Sequence, residues 1–502
     1  MMPQPFVMKL SAPGMTALHR AGLAGLWMTL DALDKEGIKL AVGSWRLSDH
    51  EVTIYLDDPG SFFDTLIKES FKIDKDGLIW FPALGRPESH LEASVLLNEC
   101  LLGTFLQHGK TRKSDPANKP AGVKVVTIDE REYPLRYHRV MWYAHQKVKM
   151  GAADQPQNLL GWVYPGGAVR HEAFHEMTCL QEPLQLYLPL LYSIIGVLYF
   201  VVRKRGAGTQ YAVVIPDVAN LREYAIFRRL YVEKRENDLT VSGSREAALR
   251  VLSTLKAGNL MDAVGSTVCR VMTFGKVQWD KQQRKRVQVF DVRKESAERL
   301  GVYQKCMQFF TPRFVKPEGG EPFYDYPQTP ELIAENLLRG EPWWRGFSEF
   351  VSDQGIRNHV FGLGKDGLYK GEREGLSKML SDVGLEKDQG AFVEACQEAW
   401  RRRLGELGER ARREHTDPRE LFQREFERIR VSFTRCKNEA ALREALTDFW
   451  SRAGPLQSLQ SNWRGALSLL NRDWRLAKDL ALLSLASYAP KEKGGGEVTP
   501  SL

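Results

Sequence analysis

Residues 455–474, PLQSLQSNWRGALSLLNRDW, carry the clearest structural pattern in the chain. Apolar side chains recur here at spacings of three or four residues, which is the repeat that places successive side chains on one face of a helix. The members of this stripe are Leu456, Leu459, Trp463, Leu467, Leu470 and Trp474. A helix with such a stripe is expected to pack in the core of a helical bundle.

Helix boundary signals extend the helical pattern over residues 372–490. Asp417-Pro418 offers a capping residue followed by a proline in the first turn, and Asn438 offers a second cap. Gly454 ends the helix that Asn438 begins. Strand patterns cease at residue 372, so we predict an all-α bundle over residues 372–490 and a disordered tail over residues 491–502.

The first 371 residues mix helical and strand patterns and predict a body of more than one subdomain. Residues 16–33 are apolar at helical spacing, whereas residues 40–48 and 51–58 are strand-like. We place an N-terminal α+β domain at residues 1–155 and a central α/β region at residues 156–371. The proline-rich residues 312–342 are expected to form an irregular covering segment. The predicted fold class is therefore α+β, followed by the all-α C-terminal bundle.

One apolar stretch is long enough to cross a membrane. Residues 184–202, LQLYLPLLYSIIGVLYFVV, precede three basic residues, Arg203-Lys204-Arg205, as a membrane span often does. However, Pro189 and Gly196 interrupt the stretch, and residues 199–216 have the pattern of two strands around a turn. We therefore predict a buried helix that runs into a β-hairpin, with a membrane-associated protein as the weaker alternative.

The charge balance favours an anionic partner. The chain has 71 basic and 63 acidic residues, a formal net charge of +8 and a sequence pI near 9.0, which suits nucleic acid or an acidic membrane surface. The sequence contains no CxxC pair, which argues against a zinc ribbon. Its scattered cysteines and the lack of a secretory signal pattern indicate a cytoplasmic protein; these cysteines are Cys100, Cys179, Cys269, Cys306, Cys396 and Cys436.

Five basic clusters are the strongest functional signal. Three are expected in loops or turns, including an exposed loop at residues 110–120 and a long loop at residues 280–286, where basic side chains can reach phosphates or enter a groove. The alternative is a solvated surface with ion pairs, which for residues 401–403 would involve Glu398, Glu406 and Glu409. The candidate DNA-binding residues are Lys110, Arg112, Lys113, Arg203, Lys204, Arg205, Lys281, Arg284, Lys285, Arg286, Arg401, Arg402, Arg403, Arg410, Arg412 and Arg413.

One short motif suggests an enzyme. His171, Glu172 and His175 match the HExxH pattern of zinc metallopeptidases, in which both histidines bind the ion and the glutamate acts as general base. The longer metzincin pattern does not continue, because Thr178 and Gln181 stand where it requires glycine and histidine. We therefore favour a packed pair of histidines and keep the zinc metallopeptidase as the alternative function.

A second motif, GxGxxG at residues 362–367, has no buried strand before it, as a dinucleotide site would require, and predicts a flexible connector. No nucleotide-binding P-loop or nucleophile elbow is present in the sequence. We expect no catalytic residue, no bound metal and no cofactor.

Two stretches resemble a known family. Residues 10–33, LSAPGMTALHRAGLAGLWMTLDAL, are similar to the N-terminal signature of the large subunit of type I-B CRISPR effector complexes (Cascade), in the branch labelled MYXAN. Residues 161–174, GWVYPGGAVRHEAF, resemble a second block of that family. The chain length, the α/β body and the helical end agree with it over essentially the whole chain. The resemblance implies a non-enzymatic subunit whose C-terminal bundle is similar to the Cascade small subunit.

The resemblance also implies the partners. They are the 5′ region of crRNA, target double-stranded DNA, the displaced single strand, and the backbone, handle-capping and small subunits. Such a subunit reads the protospacer-adjacent motif and stabilises the R-loop, while guide pairing reads the sequence. The complex would then recruit either a helicase–nuclease or transposition proteins. In some such systems the small subunit is translated from an internal start, for which Met379 is the candidate here.

Overall fold

The computed structural model describes residues 5–38, 43–56, 58–115, 122–128, 131–150, 155–165, 181–205, 208–277, 280–316, 319–361 and 370–488. The chain divides into two compact units, Met1–Ser296 and Ala297–Leu502, which we call unit 1 and unit 2. Unit 1 mixes helices and strands, whereas unit 2 ends in a run of helices. The predicted fold class is therefore confirmed. The domain boundaries predicted near residues 155 and 372 lie inside these units and stay predictions.

Unit 1 contains several small antiparallel sheets and one larger sheet. Its elements in chain order are β1 (Pro5–Lys9), α1 (Ala17–Lys35), β2 (Gly43–Leu47), β3 (Glu51–Leu56), α2 (Pro59–Ser70), β4 (Lys72–Ile73), β5 (Ile79–Trp80), α3 (Leu91–Gly103), β6 (Arg112–Asp115), β7 (Gly122–Ile128), β8 (Arg131–Tyr137), β9 (Arg139–Tyr143), β10 (Gln157–Asn158), β11 (Gln181–Glu182), α4 (Leu184–Gly196), β12 (Leu198–Val202), β13 (Gln210–Val218), α5 (Leu221–Leu230), α6 (Glu236–Leu239), β14 (Thr240–Val241), α7 (Ser244–Ala257), β15 (Val264–Val277) and β16 (Asp280–Arg293).

The centre of unit 1 is the packing of α1 against α4. Both helices are buried on nearly every side, and glycines let their backbones touch. A Cβ atom on Gly22 would lie 1.8 Å from the carbonyl oxygen of Pro189, and one on Gly196 would lie 1.7 Å from that of Ala21. Because no side chain fits at these positions, glycine is required there for steric reasons.

The apolar stretch at residues 184–202 forms the predicted buried helix and hairpin. It supplies α4 and then β12, which pairs antiparallel with β13 from Leu198↔Val214 to Val202↔Gln210. These strands belong to a five-stranded sheet of order β14-β12-β13-β15-β16, in which β12 and β14 are parallel. Among the described helices, none is both long enough and apolar enough to span a membrane. The hairpin prediction is confirmed.

Two predicted basic loops are instead strands. Within the predicted loop at residues 110–120, Arg112–Asp115 form β6, which pairs antiparallel with β9. The predicted loop at residues 280–286 is the first half of β16, whose pairing with β15 begins at Val277↔Asp280. Cross-strand hydrogen bonding accounts for both corrections, because an antiparallel partner satisfies the backbone of a polar segment as well as that of an apolar one.

Unit 2 begins with a mixed region and continues as a bundle. Its elements are α8 (Ala297–Phe309), β17 (Arg313–Val315), β18 (Phe323–Asp325), α9 (Thr329–Arg339), α10 (Phe347–Phe350), α11 (Gln354–Val360), α12 (Lys370–Asp382), α13 (Lys387–Glu414), α14 (Pro418–Arg435), α15 (Glu439–Arg452), α16 (Gln457–Arg472) and α17 (Trp474–Ser487).

The proline-rich residues 312–342 are more regular than predicted. They include the β17–β18 pair and the three-turn helix α9. Pro330 is compatible with this helix because it lies in the first turn, where the missing N–H has no partner to lose. Gly340 ends the helix in the left-handed conformation at φ 75°. The expected irregular segment is therefore wrong over α9.

Helix α17 is the central element of the bundle. It contacts α12, α13, α14, α15 and α16, and most of its residues from Ala477 to Ser487 are buried. Its Asp479 carboxylate accepts hydrogen bonds from the backbone N–H groups of Gly346 and Ser348, at 2.8 and 2.9 Å. Burial raises the pKa of Asp479, and these hydrogen bonds oppose the rise. They satisfy N–H groups at the start of α10 that have no partner within that helix.

The helix boundaries predicted at Asp417, Asn438 and Gly454 are correct, whereas the helix predicted to run through Trp474 ends at Arg472, and Trp474 begins α17. The Asp417 side chain accepts a hydrogen bond from the N–H of Arg419, at the start of α14. The Asn438 side chain accepts one from the N–H of Ala441, 2.8 Å away, at the start of α15. Gly454 follows α15 with φ 74°. The residue types found at helix ends thus identified these boundaries correctly.

The predicted apolar stripe is only partly buried. Leu456 and Leu470 are in the core, but Trp463 is 51% exposed and Leu467 is 39% exposed. The helix is kinked at Asn462, which has φ −142° and ψ 33°. Because the kink rotates the second half of α16, a continuous helical repeat no longer describes one face. The buried face of that half consists of Gly465, Ala466, Leu469 and Leu470.

We expect Gly22→Ala and Gly196→Ala each to lower the free energy of unfolding by about 3 kcal/mol or more, at the upper end of overpacking effects. The reason is the direct overlap of the added methyl group with a backbone carbonyl of the facing helix. Urea unfolding of the full chain measures this decrease. The matched control is Gly301→Ala in α8, where a Cβ meets nothing within 4 Å, and its effect should stay within about 1 kcal/mol. Equal effects at the three positions would contradict the packing argument.

Candidate nucleic-acid interface

A basic and aromatic surface lies on the β6–β9 pair of unit 1. Lys113 on β6 is directly opposite Trp142 on β9, and Lys147 Nζ lies 3.5 Å from the centre of the Trp142 ring. Lys110 is exposed in the turn before β6. Among the described residues, no carboxylate lies within 4.0 Å of the ammonium group of Lys110, Lys113 or Lys147. We call Lys110, Lys113, Trp142 and Lys147 the β6–β9 surface.

Arg112 has a different environment from its two basic neighbours. Its Nη1 donates to the carbonyl oxygen of Leu102 at 3.1 Å and also to that of Leu106, while Nε donates to Ser114 Oγ at 3.1 Å. The carbonyl oxygens of Leu102 and Leu106 lie at and just beyond the end of α3, where a cation also interacts favourably with the helix dipole. The Arg112 guanidinium is thus held by the protein itself, whereas Lys110 and Lys113 are exposed.

Trp142 and Lys147 were not predicted from the sequence. The two residues lie far from Lys113 in the sequence, so their proximity to it is not evident from the sequence. The aromatic and basic residues of WYAHQK (142–147) are nevertheless a pattern typical of nucleic-acid binding and could have identified them. The segment is anchored by His145, which is fully buried with ring centroids of Trp162 and Phe71 at 4.5 and 5.0 Å. Burial lowers the pKa of His145 to about 3, so this side chain is neutral at physiological pH.

The second basic cluster of unit 1 follows β12. Arg203 and Lys204 are exposed in the turn of the β12–β13 hairpin, and Arg203 Nη1 donates to Thr209 Oγ1 at 3.1 Å. Burial raises the pKa of Glu236, and the charge of Arg203 partly offsets this rise. The N–H of Glu236 donates to Glu92 Oε2 at 2.8 Å, which places this cluster near the first turn of α3.

The first two clusters therefore lie near opposite ends of α3. Arg112 binds the carbonyl oxygen of Leu102 in the last turn of this helix, while the Arg203 region adjoins Glu92 in the first turn. Ten residues of α-helix separate these anchor points by about 15 Å. The structure thus does not bring Lys110–Lys113 and Arg203–Arg205 into one patch.

The third basic cluster lies on a strand and not in a loop. Arg284, Lys285 and Arg286 pair with Lys276, Gly275 and Phe274 of β15, and Lys281 lies near the start of β16. In the described part of the five-stranded sheet, β16 is the terminal strand. Charged residues on an edge strand discourage that strand from pairing with another chain. This structural role is an alternative to nucleic-acid binding as an explanation of the cluster.

The arginines of α13 fall into two groups. Arg402, Arg403 and Arg410 form ion pairs with Glu398, Glu406 and Glu414 at 2.9, 2.6 and 2.8 Å, and Arg403 also pairs with Glu425 at 3.1 Å. Arg401, Arg412 and Arg413 are exposed like Arg402 and Arg410, but within the described chain no carboxylate lies within 4.0 Å of them. Two of the three ion-pair partners expected for a solvated surface, Glu398 and Glu406, are thus observed.

Arg402 belongs to the junction of α13 with α16. Its partner Glu398 accepts hydrogen bonds from Ser458 N at 2.9 Å and Gln457 N at 3.2 Å, at the start of α16. Burial would raise the pKa of Glu398, but the hydrogen bonds from Ser458, Gln457 and Arg402 outweigh it and lower the value to about 2. Glu398 is therefore ionised at physiological pH and keeps Arg402 at this junction.

Arg401 and Arg412 lie on one face of α13. Eleven residues of helix bring them within about 20° of the same direction and about 16 Å apart along the axis. Gly405 and Gly408 lie between them; a Cβ on Gly405 would meet nothing within 4 Å, and one on Gly408 only Phe422 Cζ at 3.8 Å. An open strip of backbone thus separates two exposed cations. We call Arg401, Gly405, Gly408 and Arg412 the α13 face.

Both enzyme-like sequence motifs lie outside the described residues. They are the HExxH residues His171, Glu172 and His175 and the GxGxxG residues 362–367. Among the residues that are described, no group of three histidine, cysteine or acidic side chains is placed to hold a metal ion. Five of the six cysteines are buried free thiols in the described chain, namely Cys100, Cys269, Cys306, Cys396 and Cys436.

Comparison with known proteins identifies relatives of both units. Residues 7–191 match the model of the DevT N-terminal domain, and residues 381–501 match that of the DevT C-terminal domain. The chain is 31% identical over 533 aligned positions to a CRISPR-associated protein Cas8a1/Csx13 of Myxococcus xanthus (strain DK1622), covering 99% of this chain and 90% of the relative. This similarity gives no support to the zinc metallopeptidase alternative. The chain belongs to the Cas8a1/Csx13 family of CRISPR-associated proteins.

Proposed function

We propose that this chain is the non-catalytic large subunit of an RNA-guided CRISPR effector complex of the Cascade type, acting in the cytoplasm. The full-length similarity to a CRISPR-associated Cas8a1/Csx13 protein carries this proposal. The basic composition and the two exposed cationic surfaces support it, because both suit a polyanionic partner. The finer assignment follows the sequence resemblance: a type I-B complex, with the C-terminal bundle acting as a small-subunit-like module.

The proposed partners are crRNA at its 5′ region, target duplex DNA, the displaced single strand and the other Cascade subunits. Unit 1 would contact duplex DNA near the protospacer-adjacent motif, using the β6–β9 surface together with Arg203, Lys204, Arg205 and the β16 residues Lys281, Arg284, Lys285 and Arg286. Lysines without carboxylate partners are suited to phosphates, since no internal ion pair must be broken first. Trp142 adds a ring on which an unpaired base could stack.

Unit 2 would contact single-stranded DNA through the α13 face and Arg413. Exposed ion pairs contribute little to stability, yet each pair lowers the positive charge available to phosphates. Arg401, Arg412 and Arg413 should therefore contribute more to binding than Arg402, Arg403 and Arg410. Between Arg401 and Arg412, the two glycines allow a nucleic-acid backbone to approach the helix closely.

The first test of this function is copurification. The full chain expressed with its neighbouring effector subunits should purify with RNA whose sequences share a common repeat-derived end. Deep sequencing of the bound RNA measures this result. The recovery of cellular RNA without such an end, or the absence of RNA from an assembled complex, would overturn the proposal.

The second test concerns the β6–β9 surface. Replacing Lys110, Lys113 and Lys147 by alanine should weaken duplex binding and reduce the slope of log K against log [salt] by about 0.9 for each phosphate that is no longer neutralised. Fluorescence anisotropy with duplex DNA over a range of salt concentrations measures the slope. The control is Lys35→Ala, which removes an exposed lysine that is paired with Asp31 at 2.8 Å. If the triple variant and the control have the same slope, this surface does not contact DNA.

The third test separates the two groups of arginines. Arg401→Ala combined with Arg412→Ala should reduce the salt slope for single-stranded DNA by about 1.4, at about 0.7 per phosphate, and should destabilise the R-loop in the assembled complex. The matched control combines Arg410→Ala with Arg424→Ala, which removes two exposed arginines that pair with Glu414 and Glu420. An equal or larger reduction in the control would refute the assignment to the α13 face.

A further inference from the structure

Arg228 of α5 is a buried cation without a counterion among the described residues. Its side chain is only 4% exposed. Nε donates to the carbonyl oxygens of Ile195 and Val197, each at 3.0 Å. In the described chain, Nη1 and Nη2 have no hydrogen-bond acceptor, and no carboxylate lies within 4.0 Å. The groups that interact electrostatically with the guanidinium are the hydroxyls of Tyr224, Tyr199 and Tyr231.

Such an arrangement is unfavourable unless another group compensates it. Burial lowers the pKa of Arg228, but a guanidinium remains protonated in proteins at physiological pH. A buried charge is normally paired, because transfer out of water removes its hydration. The C-terminal end of α4 supplies partial negative charge through the carbonyl oxygens of Ile195 and Val197, which amounts to about half an elementary charge at most.

The Arg228 side chain lines a cavity in unit 1. The cavity has a volume of about 40 Å³, and its walls include Trp80, Ser94, Cys100, Tyr199 and Tyr231. This space is large enough for several water molecules. The Tyr199 hydroxyl already donates to the carbonyl oxygen of Ile194 at 2.8 Å.

We propose that this cavity binds one small monovalent anion of chloride or acetate size, held by the Nη groups of Arg228. A monovalent ion balances the single buried charge, whereas a dianion would leave negative charge among aromatic walls. The fork of the guanidinium can bind a planar carboxylate through two parallel hydrogen bonds. Because Arg228 also binds the junction between α4 and β12, the bound anion stabilises the centre of unit 1.

Thermal unfolding of the full chain tests this site. At constant ionic strength, gluconate is a bulkier monovalent anion than chloride, bromide or acetate. Replacing gluconate by one of these smaller anions should raise the unfolding midpoint in a saturable way. At an anion concentration of 100 times Kd, the unfolding equilibrium constant falls about 100-fold. Arg228→Met should lose this dependence. Arg229→Met is the control, because it removes the neighbouring charge, which pairs with Asp31 at 2.5 Å, and it should keep the dependence.

Two further measurements apply even where Arg228→Met does not fold. Ala93 lines the cavity, so Ala93→Leu should fill part of the cavity and leave Arg228 in place. This variant should also abolish the anion effect. Crystals of the unmodified chain grown in bromide should show an anomalous peak beside the Arg228 Nη atoms. The proposal is overturned if the unfolding midpoint of the unmodified chain does not respond to the small anions. It is also overturned if Arg228→Met retains the anion effect, or if the crystals show no bromide in the cavity.

Discussion

The backbone contact between α1 and α4 is the constraint on which unit 1 depends. Gly22, Gly25 and Gly196 bring the two helices so close that a methyl group at any of these positions would overlap a backbone atom of the other helix. This approach buries α4, and β12 begins two residues after that helix ends. From β12 the larger sheet extends through β13 and β15 to β16. The α1–α4 contact therefore determines the positions of two basic clusters, namely Arg203 and Lys204 in the hairpin turn and residues 281–286 of β16.

Which basic side chains can bind an anionic partner depends on local ion pairing more than on the net charge of the chain. A net charge of +8 comes from 71 basic and 63 acidic residues, and in α13 neighbouring arginines differ sharply in environment. Arg402 is held by Glu398 at the α13–α16 junction, while Arg401, the preceding residue, has no carboxylate of the described chain within 4.0 Å. Since successive helical residues point about 100° apart, a run of arginines cannot act as one patch. The same contrast separates Arg112, bound to backbone carbonyls, from Lys110 and Lys113.

Arg228 shows a third state of a basic residue, neither exposed nor paired with a carboxylate of the described chain. Its position between the end of α4 and the cavity links the electrostatics of unit 1 to its packing, because the guanidinium contacts the junction between α4 and β12 that follows the α1–α4 contact. In sequence, Arg228-Arg229 is an ordinary basic pair within a helical pattern. Only the fold places the first in the interior and the second beside Asp31.

The fold class, the α4–β12–β13 segment, the caps at Asp417 and Asn438 and the family resemblance could all be predicted from the sequence, because they depend on local composition and on short-range backbone chemistry. The sequence did not predict the kink at Asn462 that exposes Trp463, the strand identity of residues 112–115 and 280–286, or the helix α9 in a proline-rich segment. These features follow from the three-dimensional structure, since each depends on a partner distant in the chain or on packing against other helices. The three-dimensional structure also decided which cations are paired and brought Lys113, Trp142 and Lys147 together. The physical reason is that hydrogen bonding and ion pairing across elements depend on distances in space, which residue spacing along the chain does not encode.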